Sequence, residues 1–118
     1  MAEIHIEQGD QGGTAFTIVR PEGDIDAYSV GQFREALGEI AESPRLLIDL
    51  SGVPFMDSAG LGALIGGIRK ARENESTVVV ACDRPALVRL LHTTGFDRIV
   101  PVAESYDDAV NVLFESDS

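Results

Sequence analysis

The residues of this 118-residue chain that could do chemistry are concentrated at Asp57-Ser58, where a helix is predicted to begin. Aspartate is a strong N-cap residue, because its carboxylate accepts a hydrogen bond from a free amide of the first helical turn. Ser58 would then be the first helical residue. A hydroxyl at that position can act as a nucleophile, as a phosphate acceptor, or as part of an ordinary helix cap.

Several catalytic interpretations fail on the residues present. A serine hydrolase is disfavoured because Met56 occupies the first glycine position of a Gly-x-Ser-x-Gly motif, and the candidate bases are only His5 and His92. One cysteine and two distant histidines make no soft metal site, so we expect no metal and no cofactor. Asp49 lacks the neighbouring acids of a magnesium-dependent phosphoacceptor. We expect it to end a strand and to cap a nearby amide.

The helix predicted from Ser58 to about Asn74 has an unusual outer side. At 100° per residue, its core side collects Leu61, Leu64, Ile65, Ile68 and Ala71. The opposite side collects mostly residues with little or no side chain: Ser58, Ala59, Gly62, Ala63, Gly66 and Gly67. Each interior glycine costs about 1 kcal/mol relative to alanine. Either another part of the same chain packs on these glycines, or they form a smooth docking face for another protein, which we favour.

A phosphoryl group on Ser58 would act directly on such a face. It would add about −1.5 to −2 charges beside Asp57, and the helix N-terminus would accommodate the anion. The fold should therefore survive, whereas a partner packed on the glycines would not tolerate the charge. These residues predict an on/off switch in which the phosphorylated form is the off state.

The elements around this helix predict an α/β fold. Alternating apolar residues near the N-terminus and the β-branched segment 14–20 predict an N-terminal β-hairpin with a turn over 9–13. A helix should start at Ser29, whose spacing from Gln32 is that of a capping box. Beyond residue 43 the order β-α-β-α-β-α predicts parallel strands. We expect one domain over 1–118, with a mixed, mostly parallel sheet of about five strands and about four helices.

Composition limits the partners. Twenty acids against nine bases give a net charge of −11, which disfavours nucleic acid and anionic lipid. Residues 44–100 carry six acids and seven bases, so the least repulsive surface lies in the middle of the chain. Cys82 lies in an apolar run and is expected to be a buried thiol. Neither a signal peptide nor a membrane span is predicted, so we expect a cytoplasmic protein.

The motifs around Ser58 resemble a known family. Segment 47–53 (LIDLSGV), followed by Phe55-Met56-Asp57-Ser58-Ala59-Gly60-Leu61-Gly62, is similar to the signature of STAS domains, in particular those of bacterial anti-sigma factor antagonists. The likeness extends to Gly23-Asp24-Ile25-Asp26 and to segment 88–96, and covers nearly the whole chain. It implies a STAS-like fold.

The resemblance also implies a function. Such proteins bind an anti-sigma factor that is an ATP-dependent serine kinase, and so release a sigma factor in partner switching under stress. The kinase phosphorylates the serine matching Ser58 and ends the binding, and a serine phosphatase restores it. ATP belongs to the partner, and this chain would be a substrate and not an enzyme. The expected partner-binding residues are Asp24, Asp26, Asp57, Ala59, Gly60, Gly62, Ala63 and Gly66.

Two positions depart from the family pattern, and one alternative function stays open. Ala59 replaces a second hydroxyl residue common after the phosphorylated serine, and Tyr28 stands where small or polar residues are usual. In the alternative, the chain is an accessory subunit of a membrane transport system, or a scaffold in a stress-signalling assembly. The helix face would then dock constitutively, with Ser58 as its cap. The chain alone could be a monomer or a weak dimer.

Overall fold

The N-terminal hairpin is longer and tighter than the sequence predicts. A computed structural model describes residues 3–115, and in it β1 (Glu3–Gln11) pairs antiparallel with β2 (Thr14–Glu22). The turn is only Gly12-Gly13, both with positive φ, 58° and 87°. Two positive φ values match the type I′ turn that suits strand twist. The predicted turn over 9–13 is therefore wrong, because Gly9 and Asp10 belong to the strand.

The remaining strands form the predicted mixed sheet. The order is β1-β2-β3-β4-β5, with β3 at Arg45–Asp49, β4 at Thr77–Ala81 and a short β5 at Val102–Ala103. The pairs β2–β3, β3–β4 and β4–β5 are all parallel. The last strand, β5, is only two residues long and follows a 3-10 turn at Phe96–Arg98. The α/β class, five strands and N-terminal hairpin are confirmed.

In the described residues 3–115, four α-helices cover the two faces of the sheet. They are α1 (Val30–Glu39), α2 (Ser58–Glu73), α3 (Pro85–Thr93) and α4 (Tyr106–Glu115). The larger core lies under α1, α2 and α3, and includes Phe33, Leu64, Leu91 and Ile48. A smaller core lies under α4, around Leu47, Val79 and Leu113. Alternate residues of β3 therefore enter opposite cores, as expected of a strand buried on both faces.

The structure also decides two smaller expectations. Cys82 is buried at 1% exposure, as predicted for a packed thiol. The capping box at Ser29 is wrong, since its side chain makes no cap hydrogen bond to α1. Within residues 3–115, no helix combines the length and the apolar character needed to cross a membrane.

Candidate functional site

The N-terminus of α2 has the predicted cap. Asp57 is the N-cap residue, and its Oδ1 accepts a hydrogen bond from the Gly60 amide at 3.0 Å. Its carbonyl accepts from the Leu61 amide at 2.9 Å. Ser58 follows as the first helical residue and is exposed. Within the described residues, the amides of Ser58 and Ala59 donate no recorded hydrogen bond, so they can bind an anion at the positive end of the helix.

Two loops are joined beside Ser58 by a short parallel bridge. The Ile25 amide donates to the Phe55 carbonyl at 3.0 Å, and the Asp57 amide donates to the Ile25 carbonyl at 3.1 Å. The Ile25 side chain is fully buried beneath this bridge. Because Ile25 bridges Met56 and its carbonyl accepts from the Asp57 amide, the loop containing Asp24 and Asp26 is held at the head of α2.

The two loop aspartates have different environments. Asp26 is half-buried, and its Oδ1 accepts hydrogen bonds from the amides of Tyr28 at 2.9 Å and Ser29 at 3.2 Å. The Ser29 hydroxyl donates to the Asp24 carbonyl at 2.9 Å and accepts from the Asp26 amide at 3.1 Å. Ser29 thus closes the loop, which explains why it does not cap α1. The exposed Asp24 carboxylate has no recorded hydrogen bond or ion pair within the described residues.

The segment between β3 and α2 is anchored at its base by Asp49. The Asp49 Oδ1 accepts from the Ser51 amide at 3.0 Å, which confirms the predicted amide cap. Its Oδ2 accepts from the Arg20 Nε at 3.0 Å, and Arg20 also pairs with Glu7 at 2.5 Å. Burial lowers the pKa of Arg20, but these two carboxylates outweigh burial and raise that pKa above its ordinary value. Asp49 is therefore structural.

The predicted small-residue side of α2 divides into a packed part and an open part. A Cβ on Gly60 would lie 2.7 Å from the Ile25 carbonyl oxygen, and one on Gly67 would lie 2.6 Å from Leu37 of α1. Gly60 is buried and Ala63 is 2% exposed. Packing within the chain therefore explains these residues, and they offer little surface to a partner. The predicted docking face has to be corrected accordingly.

The open part is continuous with Ser58. Gly62 and Gly66 are exposed, and a Cβ on either would have no neighbour within 4 Å. Ala59 is half-exposed between them and the helix start. We call the surface formed by Ser58, Ala59, Gly62 and Gly66 the open face of α2. At its far end, a shallow cavity of about 230 Å³ between α1 and α2 is bordered by Arg34 and Lys70.

Sequence reasoning missed several residues around the open face. Phe55 is 53% exposed and Tyr28 is 97% exposed, on the two bridged loops. Tyr28 stood out only as a departure from the family pattern, and Phe55 not at all. A large apolar residue in a loop beside a candidate site is the signal that could have identified it. Arg34 and Lys70 were missed because their position beside Gly62 and Gly66 depends on how α1 crosses α2.

Comparison with known proteins identifies the family. The family model described as STAS domain matches residues 6–109, which is most of the chain. The chain belongs to the STAS domain family. An anti-sigma-B factor antagonist of Listeria monocytogenes is 37% identical over 82 residues, covering 68% of this chain and 72% of the relative. One from Bacillus subtilis is 32% identical over 89 residues, covering 75% and 82%.

A solved structure supports the same family over most of the chain. The crystal structure of an anti-sigma factor antagonist from Mycobacterium paratuberculosis superposes with a TM-score of 0.80 at 30% identity. The match covers 94% of each chain. The resemblance found in the motifs around Ser58 and in the Asp24-Asp26 loop is thus confirmed at the level of family and fold. The roles of individual residues in this STAS domain stay predictions.

Proposed function

We propose that this STAS domain is an anti-sigma factor antagonist regulated by phosphorylation of Ser58. The unphosphorylated chain binds a kinase-type anti-sigma factor and so frees the sigma factor that it holds. Phosphorylation of Ser58 by that partner ends the binding, and a serine phosphatase restores it. The names of the relatives support antagonist function, and the environment of Ser58 supports the switch.

The observation that carries the proposal is the position of Ser58 on the open face of α2. Its hydroxyl is exposed and lies at the head of a surface with no side chains at Gly62 and Gly66. A bare backbone allows a partner to approach closely. A phosphate on the same surface would then stand between the two proteins. Because the Asp57 carboxylate already bonds the Gly60 amide, the added charge needs no rearrangement of the cap.

The chemistry requires nothing of this chain except an accessible hydroxyl. The Ser58 Oγ forms a bond to the γ-phosphorus of ATP held by the partner, while the bond from that phosphorus to ADP breaks and the hydroxyl proton is released. The phosphatase reverses the modification with water. The amides of Ser58 and Ala59, which donate no hydrogen bond to residues 3–115, favour the product, since a helix N-terminus stabilises negative charge by about 0.3–1 kcal/mol. This chain is thus a substrate and a ligand.

The charges around the open face define the partner surface expected to meet it. Asp24 and Asp57 lie at the Ser58 end, whereas Arg34 and Lys70 lie at the other. Lys70 is twelve residues after Ser58, which is about 18 Å along a helix at 1.5 Å per residue. A complementary partner would therefore present cations near its nucleotide site and acids farther away. Tyr28 and Phe55 add apolar contact area of the kind enriched in interface hot spots.

The test compares Ser58→Asp with Ser58→Ala in binding to the kinase-type anti-sigma factor of the same organism. We expect Ser58→Asp to lose capture while its melting temperature stays close to wild type. Ser58→Ala should bind and should accept no phosphate. Equal binding by both variants would contradict the switch and favour the constitutive accessory or scaffold function. A large and equal loss of stability in both would leave Ser58 as a structural cap only.

A further inference from the structure

A second cluster of chemically competent side chains lies on the outer face of the hairpin, apart from Ser58. Glu3 and His5 are two residues apart on β1 and therefore face the same side of the sheet. Glu22 of β2 lies directly opposite Glu3 in the register. One ligand atom from each residue lies within 4.8 Å of the others. All three side chains are exposed, so the cluster is open to solvent.

The separations within this cluster are too long for hydrogen bonds. The His5 Nε2 is 3.6 Å from the Glu3 Oε2 and 3.7 Å from the Glu22 Oε2, beyond the roughly 2.7–3.2 Å of an N–H···O bond. Ligands of tetrahedral zinc lie about 2.0–2.2 Å from the metal. At the tetrahedral angle, such ligands are about 3.3–3.6 Å from one another. The two separations between His5 and the glutamates are close to that value.

The charges facing the cluster also favour a bound cation. Like charges directly opposite in an antiparallel pair are destabilising, and Glu3 and Glu22 form such a pair. Arg20 lies opposite His5 and is the nearest cationic residue in the register. Its guanidinium is bonded instead to Asp49 and Glu7. It therefore does not neutralise Glu3 or Glu22.

We propose that Glu3, His5 and Glu22 form a site for a divalent cation of the zinc class. One imidazole nitrogen and two carboxylate oxygens would be the protein ligands, and water would complete the coordination. An imidazole ligand favours zinc over calcium and magnesium, because those two ions prefer all-oxygen sites. The proposal is independent of the function assigned to Ser58. It revises the expectation of no metal, which did not consider a histidine and two glutamates brought together across the hairpin.

The experiment is a calorimetric titration of the full chain, freed of any polyhistidine tag, with ZnCl₂. We expect one zinc ion per chain, and binding at least about tenfold weaker in His5→Ala and in Glu22→Gln. The matched control is His92→Ala, since His92 Nδ1 is 2.8 Å from one carboxylate, that of Asp97, in an ordinary hydrogen bond. That variant should bind zinc like the wild type.

An NMR titration of the unmodified chain gives a readout that does not depend on a variant folding. The imidazole resonances of His5 should shift with added ZnCl₂, while those of His92 stay in place. The proposal is overturned if zinc at millimolar concentration gives no heat and no His5 shift. It is also overturned if His92→Ala weakens binding as much as His5→Ala, since the zinc would then bind nonspecifically.

Discussion

The four glycines of α2 should respond to alanine in opposite directions. Gly62 and Gly66 are exposed helical positions where a new Cβ meets nothing within 4 Å. Replacing glycine with alanine in a helix interior gains about 1 kcal/mol, because alanine loses less backbone entropy on folding. Each of Gly62→Ala and Gly66→Ala should therefore raise the free energy of unfolding by about 1 kcal/mol. At this chain length, that is an increase of about 4 °C in melting temperature.

Gly60→Ala and Gly67→Ala should instead destabilise the fold. The new Cβ at Gly60 would lie 2.7 Å from the Ile25 carbonyl oxygen, a backbone atom that already accepts a hydrogen bond from the Asp57 amide. At Gly67 it would lie 2.6 Å from the buried Leu37 side chain. Overpacking of a well-packed core costs about 1–3 kcal/mol. After the helix-propensity gain is subtracted, we expect a net loss of up to about 2 kcal/mol at each position.

The assay is urea denaturation of the four single variants and the wild type, with unfolding monitored by circular dichroism. The m-values should stay constant, because the surface exposed on unfolding hardly changes. The reasoning is refuted if Gly62→Ala or Gly66→Ala destabilises the free protein, since the open face would then be packed. Gly62→Gln is the functional counterpart, and it should keep the fold while weakening binding to the anti-sigma factor. Binding that survives the longer side chain would show that the partner does not use this face.

Two further predictions follow from the loop aspartates and the buried thiol. Asp26→Ala should lower the free energy of unfolding by about 1 kcal/mol, because two loop amides lose their acceptor. Asp24→Asn should instead leave the free energy of unfolding unchanged and weaken partner binding. Denaturation and binding titrations of both variants check this, and equal stability losses in the two would contradict it. Burial raises the pKa of the Cys82 thiol above its usual 9.0, although the Arg84 amide opposes this. The contribution of this thiol to the free energy of unfolding should therefore be constant below pH 9 and fall as the pH rises further. When melting is measured against pH, Cys82→Ala should lose less stability than the wild type at alkaline pH.

The head of α2 was predictable because its signals are local. The Asp57 cap, the first helical position of Ser58 and the apolar periodicity of the helix all depend on residues within a few positions of one another. The same local logic failed at Ser29. Its capping-box spacing was correct, but the Asp24 carbonyl and the Asp26 amide compete for the hydroxyl and bind it instead. Tertiary placement of the loop decided between two local hydrogen-bonding patterns.

The small-residue side of α2 shows why a helical wheel could not separate packing from docking. A wheel gives the direction of each residue but says nothing about which neighbouring helix lies in that direction. In the structure, α1 crosses so that Leu37 covers Gly67 and leaves Gly66 open. Packing within the chain therefore explains Gly67, whereas docking stays a prediction for the adjacent Gly66. Distinguishing them required the crossing of α1 over α2, which no pattern within α2 encodes.

The hairpin register accounts for the side-chain cluster that sequence reasoning missed. A turn over 9–13 would have paired Gln8 with Thr14 and therefore Glu3 with Val19. The observed turn at Gly12-Gly13 pairs Glu3 with Glu22 instead, a shift of three residues along β2. A shift by an odd number also exchanges the two faces of the strand. Two glycines with positive φ thus determine whether Glu22 lies beside Glu3 and His5, and the proposed cation site depends on that turn.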